Sequence, residues 1–240
     1  MLTDPLMQRA LLVALLVGLA APVVGTYLVQ RRLSLLGDGI GHVALTGVAV
    51  GWLAGSVAGV TPHDALAVPG AVVFAVIGAV AIEVVRSKGR TSGDVALALL
   101  FYGGIAGGVL IMSLAGGSSA NLVGYLFGSI STVSGADLAL TVALAALVLG
   151  VGLGLRTAFF AVSHDEEFAR AAGLPVRALN VTIAVVAALT VTVAMRVVGV
   201  LLVSALMIVP VAVAQQLTAS FRRTMALAMT VGVVVCVSGL

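Results

Sequence analysis

Eight apolar stretches, each close to the length that crosses a lipid bilayer, take up nearly the whole chain and decide its class. They lie at 10–29, 36–58, 65–85, 95–115, 136–155, 178–195, 197–219 and 224–240. About 20 apolar residues in a helix span a hydrocarbon core of ~30 Å. Backbone polar groups in lipid must be satisfied within the segment, so these runs are expected to be helices. Charged residues make up only 9% of the chain, against roughly 25% in an ordinary soluble domain. The expected fold is therefore all-α: one polytopic integral membrane domain over residues 1–240, with about eight transmembrane helices. The segment 119–133 is too short and polar to span and reads as a re-entrant or interfacial piece. What remains between spans has no room for an ATPase, receptor or catalytic domain. The single cysteine, Cys236, lies in the last run, which excludes a disulfide within the chain and a thiolate cluster. The first run ends its core in Leu19-Ala20-Ala21, like a signal peptide, but continues apolar to Val29 and reads as a span.

Basic residues set the orientation. With Arg86, Lys88 and Arg90 in the cytoplasm, alternate connections place Arg31, Arg32, Arg156, Arg170, Arg177, Arg222 and Arg223 there too. Only Arg9 and Arg196 of the twelve Lys and Arg residues are then outside, the distribution that the positive-inside rule favours. Glycines at 47, 51, 55 and 59, and the pairs Gly103/Gly107 and Gly104/Gly108, recur every four residues and read as faces where helices approach closely. Gly150, Gly152 and Gly154 superficially match a nucleotide fingerprint, but within a span they are packing residues. Pro22 and Pro210 fall inside spans and are expected to bend them.

Against this apolar background, Asp38 and His42 stand out. They lie four residues apart in Leu33-Ser-Leu-Leu-Gly-Asp-Gly-Ile-Gly-His42, so a helix puts carboxylate and imidazole on one face. Ionisable groups at membrane depth cost about 2.5–3.5 kcal/mol each on insertion scales and mark functional sites by default. Oxygen and nitrogen donors together suit divalent transition metals. A buried ion pair or an interhelical hydrogen bond accounts for the same residues, and the spacing does not choose between these readings. If the helix runs from Arg32, its rise carries Asp38 roughly 9 Å and His42 roughly 15 Å inward, near the midplane.

One cytoplasmic connection is built like a docking element. In Ser163-His-Asp-Glu-Glu-Phe-Ala-Arg-Ala-Ala-Gly-Leu-Pro-Val-Arg177, Ser163 or Asp165 can cap a helix of about two turns, with acidic residues at its positive end. Gly173 and Pro175 end it. Phe168 and Leu174 are expected to be exposed, as apolar anchors for a protein partner. Other polar residues have simpler readings: Asp94 as a helix cap, Glu83 with Arg86 as an interfacial ion pair, and His63 and Asp64 as a Pro-initiated turn or a contact for a delivering receptor. Arg196 snorkels at an outer turn, and Asn121 and Tyr125 anchor at the outer interface.

The segment from His164 to Pro175 resembles the coupling segment of the zinc/manganese/iron-type permease family of ABC transporters. Its usual form there is Asp-Pro-Glu-Phe-Ala-x-x-x-Gly-Leu-Pro, and Glu166 stands in place of the proline. Arg31 to His42, Tyr125 to Ile130, and Val198 to Pro210 are similar to three further family segments, in the same order. The resemblance extends from about Met7 to Gly239. It implies a bacterial cytoplasmic-membrane permease working as a homodimer, with a separate cytoplasmic ATPase pair and an extracellular metal-binding receptor. It implies Asp38 and His42 on the metal pathway, and Asp165, Glu166, Phe168, Ala169, Gly173, Leu174 and Pro175 at the ATPase. The cargo is then Zn2+ or Mn2+, or Fe2+, with no permanently bound cofactor, ATP spent by the partner and no nucleic acid involved. Members of the family continue beyond the position of Leu240, so the chain is a short member or a piece of a longer one.

A rival reading is an ion-coupled secondary transporter or channel in which Asp38 and His42 relay protons or cations. The docking-type segment and the lack of a detectable inverted repeat argue against it. An intramembrane hydrolase lacks its motifs: neither His-Glu-x-x-His nor Gly-x-Ser-x-Gly occurs.

Overall fold

The computed structural model describes residues 5–87, 93–117, 119–128, 135–195 and 197–239. Lys88, Arg90 and Arg196, and the side chains of His63, Asp94 and Asn121, lie outside the described residues, as does the part of the 119–133 segment from 129 on. Eleven α-helices follow in order: α1 (Pro5–Gln30), α2 (Leu36–Val57), α3 (Ala67–Ser87), α4 (Gly93–Leu114), α5 (Ser119–Phe127), α6 (Gly135–Gly154), α7 (Arg156–His164), α8 (Glu166–Ala171), α9 (Val176–Met195), α10 (Val200–Leu217) and α11 (Phe221–Ser238). A single 3₁₀ turn, His63–Leu66, precedes α3. Among the described residues there is no strand.

Among the described residues, seven helices are long and apolar enough to cross a membrane. The eighth expected span is a bent pair: α6 meets α7 at 66° across Leu155. The chain is thus an all-helical, multi-pass membrane protein with the spans where the apolar runs lie. α1, α2 and α9 form the buried middle, while α4 and α11 turn most of their surface outward. α2 packs between α3 and α4, α3 also on α9, and α1 against α6, α10 and α11.

Small residues set these distances, though not in the strict row that the four-residue spacing predicts. Gly47 and Gly51 of α2 lie so close to the backbone of Gly70 and Leu66 that a Cβ would collide with a carbonyl oxygen. Gly59 lies beyond the helix end in a turn with φ +66° and faces open space. On α4, Gly104, Gly107 and Gly108 face α2, and Gly103 faces nothing. Gly152 packs on Val23, and the Tyr27 hydroxyl donates to its carbonyl oxygen at 2.6 Å, so this glycine is a packing residue as expected, whereas Gly150 and Gly154 meet no neighbour. Both span prolines lie within continuous helices. Near Pro22, the Thr26 hydroxyl donates to the Pro22 carbonyl oxygen at 2.7 Å, and the α1–α11 crossing is tight enough for Gly232 to approach the Gly18 carbonyl. Neighbouring helices of this kind are what make proline tolerable inside a span.

Candidate functional site

The depth expected for Asp38 and His42 needs correction. Residues 31–35 are not helical but form a tight turn, with Arg32 at φ 56°, and α2 begins at Leu36. Counted from there, the rise is about 3 Å to Asp38 and about 9 Å to His42. Asp38 therefore sits in the first turn of α2, at the positive end of the helix dipole. His42 is one turn deeper, and the pair occupies the half of the span nearer the basic end.

The pair is on one face, as the spacing requires, with His42 Nε2 3.8 Å from Asp38 Oδ1. The imidazole is buried and the carboxylate partly open, with side-chain exposures of 7% and 28%. At that distance the two groups do not share a hydrogen bond. The His42 ring is held by Phe101 of α4, edge to face at 4.3 Å between centroids. That packing needs the glycine at 104, since a Cβ there would lie 2.6 Å from the His42 carbonyl carbon. Nδ1 of His42 is buried without a hydrogen-bond partner. From α10, Ser204 donates to Asp38 Oδ1 at 3.4 Å, while its hydroxyl also lies 3.1 Å from the Leu201 carbonyl oxygen. α10 comes this near because Gly41 offers Val200 no side chain. Among the described residues no third His, Cys, Asp or Glu joins the pair. Phe101 had no signal in the sequence, and Ser204 only its place in the family-like segment from Val198 to Pro210, where nothing marks it as a partner of Asp38.

The segment 163–177 forms the compact element that its sequence predicts. Asp165, and not Ser163, is the cap: its Oδ1 accepts from the backbone N–H groups of Glu167 and Phe168, both at 2.9 Å. α8 is six residues long, shorter than the expected two turns. Gly173 closes it at φ +81°, with the Leu174 N–H donating back to the Ala169 carbonyl oxygen at 3.0 Å. Phe168 is 67% exposed, the anchor expected. Leu174 is not exposed: it is half-buried against the core, and Ala169 is fully buried beneath α8. Pro175 is exposed and starts α9, accepting from the Leu179 N–H at 3.0 Å.

Glu166 turns the other way, toward the ends of the spans, with its side chain still 39% exposed. Its Oε1 accepts from Asn180 Nδ2 at 3.0 Å, Arg86 Nη2 at 3.1 Å and Arg31 Nη2 at 3.3 Å. Glu83 completes the cluster, 3.3 Å from Arg86 and 3.7 Å from Arg31. The expected Glu83–Arg86 pair is thus half of a neutral quartet. Burial alone raises the Glu166 pKa, but the hydrogen bond from Asn180 and the charges of Arg86 and Arg31 outweigh it and hold it below the ordinary carboxylate range. A depressed carboxylate pKa means the ionised tie is complete at neutral pH and is lost only as pH falls through that lowered value. Burial and the like charge of Arg86 pull Arg31 below its ordinary value, with Glu83 and Glu166 opposing. It remains a cation regardless.

The match to the ABC 3 transport family extends over residues 3–240. The chain belongs to that family. It is 32% identical over 234 residues to the manganese transport system membrane protein MntC of Listeria innocua, an alignment covering 98% of this chain and 80% of that one. It is equally 32% identical to the chelated iron transport system membrane protein YfeD of Yersinia pestis, over 98% of this chain and 76% of that one. Among solved structures, PsaBC from Streptococcus pneumoniae in complex with Fab matches with a TM-score of 0.81 at 29% identity, over 97% of this chain and 80% of that chain. This ABC 3 family chain is therefore a multi-pass cell-membrane permease subunit.

Proposed function

We propose that the chain is the permease subunit of an ABC importer for a divalent transition-metal ion, Mn2+ or Zn2+, with Fe2+ in the same ligand class. The observation that carries this reading is the Asp38–His42 pair on the inner-facing half of α2. Its two donors are 3.8 Å apart, and an ion about 2.1 Å from each would see them at roughly 130°. A shift of well under 1 Å brings them to tetrahedral spacing. Relatives named for manganese and chelated-iron transport support a metal cargo. Two protein donors make a weak site, and transport requires one, because the ion must also leave.

In this reading two copies form the pathway, and symmetry doubles the donors. A cytoplasmic ATPase pair docks on the 163–177 segment through Phe168, and an extracellular receptor delivers the ion. ATP binding and hydrolysis move the ATPases, and the path opens alternately to each side. The test is ATP-driven uptake by the reconstituted complex with Mn2+, Zn2+ and Fe2+ in competition. Asp38→Ala and His42→Ala are expected to assemble with the ATPase and to abolish uptake. Wild-type uptake by both would remove the pair from the pathway, and uptake without ATP would replace the importer with an ion-coupled carrier.

A further inference from the structure

α8 is two-faced. Phe168 points outward, and two residues earlier Glu166 turns toward the ends of the spans, where three donors converge on one of its oxygens. Those donors come from three different elements: Arg31 from the turn between α1 and α2, Arg86 from the end of α3, and Asn180 from the first turns of α9. Arg31 is the informative one. Its side chain is only 3% exposed, a long cation buried at the turn whose next helix carries Asp38. That turn is otherwise short and tight, with the Leu33 N–H donating to the Leu28 carbonyl oxygen at 2.8 Å and the adjacent Arg32 at φ 56°. A residue that pulls on Arg31 therefore pulls on the start of α2. The cluster also borders an open cavity of about 1300 Å³ lined by Glu83, Arg86, Glu166, Arg170 and Asn180, so the polar side of α8 faces open space while Ala169 and Leu174 seat it on the core.

We infer that Glu166 is the positioning residue that ties α8 to the turn opening α2, carrying movement of the docking helix to Asp38. The inference rests on the importer reading above. Glu166 acts through Arg31 and touches no cargo. Its replacement by glutamine leaves each arginine with Glu83 within 4 Å, and the one net positive charge that results borders an open, hydratable cavity, so the spans stay folded. What goes is the link. The expected signature is uncoupling: ATP is still bound and hydrolysed, but metal no longer follows.

The experiment measures metal ions moved per ATP hydrolysed in proteoliposomes holding the permease–ATPase complex, with its receptor and Mn2+, Zn2+ or Fe2+ as the probe. Glu166→Gln is expected to retain the ATPase and its hydrolysis rate while the ratio falls about tenfold, within the usual range of coupling free energies between sites. Arg31→Gln removes the same tie from the side of the turn and should lower the ratio in the same direction. The double variant Glu166→Arg/Arg31→Glu rebuilds the ion pair between α8 and the turn with reversed sense and should recover part of the ratio. A merely structural residue would lower both activities together and gain nothing from the swap. An unchanged ratio in Glu166→Gln overturns the inference, as does loss of the ATPase, which would make Glu166 a docking residue. Failure of both single variants to fold would make the cluster a structural staple, and that also overturns it. A wild-type complex that moves none of these ions with ATP overturns the importer reading itself, and the tie with it.

Discussion

The His42 imidazole is oriented by a ring, not by the second-nitrogen hydrogen bond that metal-binding histidines usually make. Phe101 stands edge-on at 4.3 Å, and aromatic pairs of this kind are worth about 0.5–1.5 kcal/mol beyond area. Replacing Phe101 by leucine keeps most of the volume but frees the imidazole. The half-saturating metal concentration for uptake should then rise about two- to tenfold at an unchanged folded yield. Uptake titrations of Phe101→Leu against wild type check this, and an unchanged titration would assign the orientation of His42 to the helix alone. At this scale the sequence carried the pair itself, because a carboxylate and an imidazole at i, i+4 are conspicuous among leucines and glycines. It did not carry the roles of Phe101 or Ser204, because these come from helices α4 and α10 reaching the same point. The same holds for Arg31: as a basic residue after a span it reads as a topology marker, and only packing turns it into a buried ion-pair partner.

At the scale of elements, α8 was legible because its signals are local. A capping aspartate, acidic first-turn residues and a glycine with a following proline specify a helix without reference to the rest of the chain. What local chemistry does not specify is which face packs, and Leu174 accordingly turned inward while Phe168 stayed out. α7 is the element that the sequence hid: Arg156–His164 mixes charge and aromatic residues too evenly to read as span or loop. Two substitutions separate the roles of α8. Phe168→Ala removes the exposed anchor and should cost about 2 kcal/mol of ATPase binding, roughly thirtyfold in affinity, if Phe168 fills a pocket on the partner. Gly173→Val leaves Phe168 in place but puts a β-branched residue at φ +81°, a conformation costing about 1–2 kcal/mol without glycine. No neighbour lies within 4 Å of the added Cβ, so any lost binding is a backbone effect on the cap. Pull-down of the ATPase by solubilised permease measures both. Full retention by both variants would reduce α8 to a connector.

Across the whole molecule, the spans were readable because apolar length is one-dimensional information, and a bilayer filters it with little help from packing. The bend between α6 and α7, the inner and outer helices and the shallow position of Asp38 were not, since each depends on how helices meet. Orientation follows from charge: Arg31, Arg86, Arg170 and Arg177 gather at one end of the bundle around the Glu166 cluster and its cavity. The positive-inside rule assigns that end to the cytoplasm, the side on which the proposed ATPase docks. Cysteines at Arg170 and Ser56, both exposed and at opposite ends of the bundle, test this in a background where Cys236 is serine. An impermeant thiol reagent should label position 56 in intact cells, and position 170 only once the inner face is opened. The two sites share one chain and one insertion event, so the contrast between them is independent of expression level. Labelling of position 170 in intact cells would invert the molecule, put α8 outside and leave no place for a cytoplasmic ATPase to act on it.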